Sequence, residues 1–205
     1  MRRLSALANR TEGSALLEFA IVLPLLVVFV VGIYDFSGAY NQKQKIAHAA
    51  QAGAIVAGGQ PTGDMYIDPL PNPDPESLQP VVSVIFNSLA ADGVLPLANQ
   101  GTCAVPVTPT PNGGLSWTYT ISGCWSYPTD ATPGCLNDPA DKLRIEIDRG
   151  WVPTEATPPV TVGTQVTVSY PYHWRFNSAI QLLFPGPGYS AKTCLSETAT
   201  VHNQM

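Results

Sequence analysis

The chain divides by pattern into a long apolar run near its start, a helical stretch of small residues, and a later region of alternating strands. From Ser14 to Tyr34 the 21 residues hold one charged member, Glu18, and a bilayer core needs about 20 apolar residues in a helix. Apolar and small residues then recur at three- and four-residue spacing as far as Ala57, before a Gly-Gly-x-Pro stop signal. We therefore predict one continuous helix from about Ser14 to Ala57.

Beyond this helix the chain is rich in turns and strands. Residues 76–93 have helical periodicity, and residues 178–184 suit a short helix. Apolar and polar residues alternate in four later segments, which predicts strands at 115–121, 142–148, 164–172 and 196–203. The predicted fold class is α+β, with a long N-terminal transmembrane helix and then a small antiparallel sheet head with one or two covering helices. The predicted domains are a basic leader at 1–13, a transmembrane helix at 14–35, a stalk at 36–58, a Pro-rich linker or ordered loop at 59–75, and an exported head at 76–205.

Charge is scarce and unevenly divided along the chain. Charged residues make up 12% of the sequence, and the pI of about 5.0 argues against a nucleic-acid partner. Arg2, Arg3 and Arg10 precede the apolar run, whereas the chain after Tyr34 holds seven Lys/Arg and thirteen Asp/Glu. A basic flank before a span and an acidic body after it predict a cytoplasmic N-terminus and an exported body.

Glu18 is the unusual position of the apolar run. An ionised carboxylate inside a membrane helix costs on the order of 2.5–3.5 kcal/mol. A cleaved secretory signal is one rival interpretation, but the run ends in GIYDFSGAY without an A-x-A-like cleavage site. Glu18 then either reaches water at the interface or pairs with a charge. A cut after Gly13 would supply that charge, because Ser14 would carry a free amine one helical turn from Glu18.

The stretch EGSALLEFAIVLPLLVVFVVGIYDFSGAY resembles the N-terminus of type IV prepilin-like proteins and, more narrowly, the TadE-like family of tight-adherence (Flp) pilus pseudopilins. The shared pattern is a small residue, an apolar tract with Glu-Phe, a Leu-Pro-Leu, and then Gly, an acid and an aromatic residue. It falls here on Gly13, Ala15, Glu18, Phe19, Leu23, Pro24, Leu25, Gly32, Asp35 and Phe36. The strands near the end carry a weaker likeness, and residues 60–160 carry none.

This resemblance implies a pilin-like fold and a role in pilus assembly. A prepilin peptidase would cut between Gly13 and Ser14, and Glu18 would serve processing or docking into the filament, with Phe19 completing the Glu-Phe pair. Pro24 would bend the span, either as an assembly feature or as a plain kink. The implied partners are the peptidase, other pilin or pseudopilin subunits, an inner-membrane assembly platform and membrane lipid. The implied location is a single pass through the inner (cytoplasmic) membrane.

Four cysteines, Cys103, Cys124, Cys135 and Cys194, all lie in the predicted exported part. No C-x-x-C pair and no histidine at zinc-ligand spacing accompany them, so a metal site is not expected. An oxidising compartment favours two disulfides over four free thiols. Three pairings are possible, and the short loop between the second and third cysteines favours Cys124–Cys135 together with Cys103–Cys194.

Motifs of catalysis are missing from the sequence, which has no G-x-S-x-G, no H-E-x-x-H and no phosphate-binding glycine loop. We therefore expect no enzyme activity and no cofactor. His173 lies in the aromatic stretch YPYHWRF, which suits a packed strand end, and the four tryptophans suit a head-domain core. The sequence thus supports two hypotheses. The first is a minor pilin or pseudopilin, cut after Gly13; the alternative is an uncleaved, membrane-anchored periplasmic binding or scaffold domain of a secretion system.

Overall fold

The computed structural model of the protein describes residues 11–67, 70–95, 103, 105, 108–124, 135, 142–153, 162–174 and 192–204. The chain divides into two compact units. We call residues 1–38 with 174–191 the anchor unit, and residues 39–173 with 192–205 the head unit.

One helix, α1, runs from Thr11 to Gly59, a length of 49 residues, and passes through both units. The prediction of a continuous helix from about Ser14 to Ala57 is therefore confirmed. Pro24 lies inside this helix, where it lacks the N–H group that would bond the carbonyl four residues earlier, yet the helix continues on both sides. At the other end, the N–H of Gln60 donates to the Ala57 carbonyl at 3.1 Å and closes the last turn.

A five-stranded antiparallel sheet forms the centre of the head unit, with strand order β3-β4-β5-β6-β7. Its strands are β3 Thr110–Gly113, β4 Ser116–Ile121, β5 Leu143–Trp151, β6 Gly163–His173 and β7 Lys192–His202. The four strands predicted from alternation are confirmed, and β3 is added to them. β3 was missed because TPNG has four residues and no alternation, and Gly113 and Gly114 at positive φ make the turn into β4.

The head core lies between this sheet, the second half of α1 and a second helix. Helix α2 spans Gln79–Ala91 and follows a 3₁₀ turn at Glu76–Leu78, which confirms the helix predicted at 76–93. A side chain at Gly53 of α1 would meet both Ile85 of α2 and Val166 of β6, so the three elements come together there. Lys45 of α1 donates to the carbonyl of Asp92, the C-cap residue of α2, at 2.6 Å. The α+β, pilin-like layout is therefore the one predicted.

The Pro-rich segment between α1 and α2 is an ordered loop in its described residues. Two short strands pair antiparallel in it, β1 at Tyr66–Ile67 and β2 at Leu70–Pro71. The Asp64 carboxylate accepts a hydrogen bond from the Ser77 N–H at 2.7 Å, and the indole N–H of Trp117 donates to the Asn72 carbonyl at 2.8 Å. These bonds fasten the loop to the 3₁₀ turn and to β4.

Two disulfides are present, Cys103–Cys124 and Cys135–Cys194, and they correct the pairing favoured by the sequence. The β3–β4 hairpin explains the first. Thr110 pairs with Thr118, so the two chains leaving the hairpin bring residue 103 level with residue 124. The short-loop argument was wrong because it overlooked this hairpin. The helix predicted at 178–184 and Trp125 lie outside the described residues.

Candidate functional site

The two parts of α1 differ in what surrounds them. Between Ser14 and Tyr34 no side chain is buried, although the residues are mostly Leu, Val, Ile and Phe. The helix is long and apolar enough to cross a membrane by length and composition, and it is a candidate membrane anchor. Most of its apolar residues are exposed, and Val28 and Val31 are half-buried, so this part of the helix suits surroundings that are themselves apolar.

Glu18 lies on this exposed part, one helical turn from Ser14. The Ser14 hydroxyl donates to a Glu18 carboxylate oxygen at 3.4 Å, across the i to i+4 spacing at which helical side chains meet. This long hydrogen bond is the contact that the carboxylate makes among the described residues. The carboxylate therefore faces the same surroundings as the apolar side chains beside it.

Phe19 and Pro24 lie on the same exposed part of the helix. Phe19 presents most of its ring outward, next to Glu18 in the chain. Pro24 leaves the Ala20 carbonyl without its intrahelical donor, so the backbone is locally less well bonded there. The predicted roles of both residues in assembly stay predictions.

The bond between Gly13 and Ser14 lies in helical backbone, inside the described span Thr11–Gly59 of α1. A protease binds its substrate with the backbone extended, so a cut at this bond requires the helix to open there. Gly13 makes that opening easier, because glycine in a helix costs about 1 kcal/mol relative to alanine.

The far end of α1 is held by two strands of the head unit. Arg149 on β5 donates to the Gln60 carbonyl at 2.8 Å, and the N–H of Gln204, just after β7, donates to the Gly58 carbonyl at 3.0 Å. The last turn of α1 contains no basic residue of its own. Arg149 therefore supplies the positive charge that favours a helix C-terminus, and it does so from another element.

Arg149 is 1% exposed, an unusual burial for a guanidinium. Burial lowers the pKa of Arg149, and the negative charge of Asp64 acts in the opposite direction. Its Nε and Nη1 atoms have no hydrogen-bond partner among the described residues. Burial also raises the pKa of Tyr119, and the carboxylates of Asp74 and Asp64 raise it further. Arg149 and Tyr119 are thus both buried, and the charge of Asp64 in the ordered loop acts on both.

An open groove of about 640 Å³ lies along β7 in the head unit. One wall is formed by Ala47, Gln51 and Ile55 of α1, and the other by residues 197–201. Lys43 Nζ on α1 and Glu197 Oε1 on β7 lie 3.1 Å apart and form an ion pair between these two elements. β7 is an edge strand of 11 residues, whereas the opposite edge strand β3 has four and contains a proline. The β7 edge is therefore the better protein-docking edge of the sheet.

These features lie along α1 in the order of the family pattern given by the sequence: a small residue, a carboxylate next to an aromatic residue, and a proline in an apolar helix. Residues 13–54 match the family model described as TadE-like protein. The predicted resemblance is thereby confirmed over these residues, which we call the TadE-like segment. A TadE-like segment indicates a protein associated with the tight-adherence pilus. No curated protein and no solved structure matches the chain.

The TadE-like segment begins at the residue before the predicted cut and includes Glu18, Phe19 and Pro24. All three lie on its exposed part, whereas its end lies in the buried face of the head unit. The match therefore covers both the candidate membrane anchor and much of the packing that joins α1 to the sheet.

Sequence reasoning missed Arg149, although a signal for it was present. On β5 the residues Leu143, Ile145 and Ile147 are buried, and Arg149 continues the same two-residue alternation. The alternation of side chains along a strand therefore places Arg149 on the buried face. No local pattern marks its acceptor, the carbonyl of Gln60, because that contact joins residues 89 positions apart.

Proposed function

We propose that the protein is a minor pilin or pseudopilin of a tight-adherence (Flp-type) pilus. In this proposal a prepilin peptidase cuts after Gly13, and α1 holds the chain in the inner membrane, with its N-terminus cytoplasmic and its head unit outside. The protein is not an enzyme, and its partners are other pilin or pseudopilin subunits and the assembly platform. The match of residues 13–54 to the TadE-like family supports the association with the pilus.

One observation carries the finer proposal: Glu18 is an exposed carboxylate on an exposed apolar helix, and its contact there is a 3.4 Å hydrogen bond from Ser14. An unpaired carboxylate in lipid costs on the order of 2.5–3.5 kcal/mol. A free amine on Ser14 would lie within one turn of it and remove much of that cost. The proposed cut therefore creates the partner that Glu18 lacks.

Cleavage also changes the position of Glu18 within the helix. In the uncut chain α1 includes the residues from Thr11 onward, so Glu18 lies in the helix interior. After a cut at Gly13 it becomes the fifth residue, next to the free N–H groups of the new helix end. A carboxylate near a helix N-terminus is stabilised by roughly 0.3–1 kcal/mol, and it offsets the unfavourable amine charge there.

Assembly then exchanges lipid contacts for contacts between helices. Lipid tails are as apolar as leucine, so packing and polar pairing must favour the bundle of helices. In the filament, Glu18 of one subunit pairs with the Ser14 amine of its own or a neighbouring chain. The exposed apolar part of α1 supplies the packing surface for the same step.

The test compares the wild-type protein with Glu18→Gln, which keeps the shape and removes the charge. Membranes are prepared with and without a prepilin peptidase, and the N-terminus is read by intact mass. Sheared filaments are then assayed for the protein. We expect a start at Ser14 that depends on the peptidase, and at least a tenfold loss of Glu18→Gln from filaments. Glu76→Gln, an exposed glutamate outside α1, is the matched control and should behave as the wild type.

A chain that keeps its leader in both samples would contradict the proposed processing. The groove along β7 would then support the second candidate function, an uncleaved, membrane-anchored scaffold domain that binds a partner strand at its sheet edge. A chain that is cut normally but assembles equally well as Glu18→Gln would keep the pilin role and remove the charge-pairing mechanism.

A further inference from the structure

Aromatic side chains surround the end of the apolar run in the anchor unit. Tyr34 is 65% exposed and Phe36 is 68% exposed, on different sides of α1. The ring of Trp174 contacts Phe36 edge-on, with centroids 5.1 Å apart and planes at 65°. Such an edge-to-face pair is a favourable aromatic geometry. Trp174 is therefore held beside α1 by a residue distant in the sequence.

The position of Phe36 along α1 determines how deep the Phe36–Trp174 pair lies in a bilayer. From Ser14 to Phe36 the helix rises about 33 Å, at 1.5 Å per residue. The hydrocarbon core of a bilayer is about 30 Å thick. With Ser14 at one boundary of the lipid, Phe36 and the Trp174 ring beside it lie at the opposite interface.

The helix around Tyr34 and Phe36 carries almost no charge. Asp35 is the single charged residue between Phe19 and Gln42, and it is 2% exposed. Its carboxylate is therefore directed away from the surroundings that Tyr34 and Phe36 meet. Tryptophan and tyrosine favour the layer between hydrocarbon and water, where the ring is partly buried and the polar N–H or O–H stays hydrated.

We propose that Trp174, held against Phe36, is a second membrane contact of this protein, and that it binds the headgroup and glycerol layer of phospholipid where α1 leaves the bilayer. Both members of this pair belong to the anchor unit, so the proposed contact lies within that unit. This inference rests on the proposed membrane anchoring by α1, and the experiment separates the two.

The experiment uses the full chain reconstituted at low density in phosphatidylcholine and phosphatidylglycerol vesicles. The lipids carry bromine either near the headgroup end or near the tip of the acyl chain, and tryptophan fluorescence reports quenching. We expect stronger quenching by the shallow bromine than by the deep one. Trp174→Phe should remove most of that difference. Trp151→Phe, a change on β5 of the head unit, should leave it in place.

Flotation of the same vesicles measures anchoring independently. Protein that floats with the lipid and shows equal quenching in the wild type and in Trp174→Phe overturns the inference and leaves the anchor intact. Protein that does not float overturns both. Quenching by the shallow bromine that is lost in Trp174→Phe supports contact of this ring with lipid, provided that it stays unchanged when more lipid is added. If a second copy of the protein covered the Trp174 ring, dilution with lipid would uncover the ring and increase the quenching.

Discussion

The two parts of α1 share one continuous backbone and differ in how their side chains are used. From Ser14 to Tyr34 the residues are mostly large and apolar and none is buried, whereas the buried apolar residues of α1 all lie between Ala39 and Ala57 and are mostly alanine. Large residues outward suit lipid, where no hydrophobic force drives helices together. Small residues inward let a sheet and a second helix approach the backbone. The same helix therefore combines a candidate membrane anchor with an element of the head-unit core.

The largest effect should come from placing a charge on each part. Ile21 and Ile55 have the same side chain on the same helix and are 67% and 65% exposed. Ile21→Lys should cost roughly 2.5 kcal/mol or more of membrane insertion, because lysine is disfavoured by that amount near a span centre. Ile55→Lys should leave insertion unchanged. Resistance of the membrane-bound protein to carbonate extraction measures both, and equal losses would end the distinction between the two parts.

Glycine to alanine substitutions should give the next largest difference. An added Cβ at Gly53 would overlap the Ile85 side chain, whereas at Gly32 it would meet nothing within 4 Å. Gly53→Ala should lower the free energy of unfolding of the head unit by about 1–3 kcal/mol, the usual cost of overpacking. Gly32→Ala gains the same helix propensity without the overlap. Denaturant unfolding in detergent compares them, and an undiminished head stability in Gly53→Ala would show that Ile85 moves aside.

The smallest effect should appear where the buried part of α1 ends. Arg149 makes one hydrogen bond to the Gln60 carbonyl and leaves two nitrogen atoms unpaired among the described residues. Arg149→Met, which keeps most of the volume, should therefore change the free energy of unfolding by no more than about 1 kcal/mol. Arg144→Met on the opposite face of β5 is the control. A loss of 3 kcal/mol or more in Arg149→Met would show that the guanidinium is fully paired in solution.

Much of the contrast between the two parts of α1 was predictable from the sequence, because periodicity reports which faces are apolar. The length of α1, the alternation of β5 and the TadE-like pattern around Glu18 all depend on residues that are close together in the sequence. The disulfides were not predictable in the same way. Cys103 and Cys124 meet through a hairpin whose first strand has no alternation, so their distance in space could not be judged from loop length.

The hold on the end of α1 has a mechanical consequence. The Arg149 side chain on β5 donates a hydrogen bond to the Gln60 carbonyl, and the N–H of Gln204 after β7 donates to the Gly58 carbonyl, both at the end of α1. Between them lies β6, which pairs with both strands. A pull along α1 is thus passed into the sheet at two places, on β5 and just after β7, with β6 between them. A force on the helix would therefore be shared across the sheet and would not be borne by a single strand.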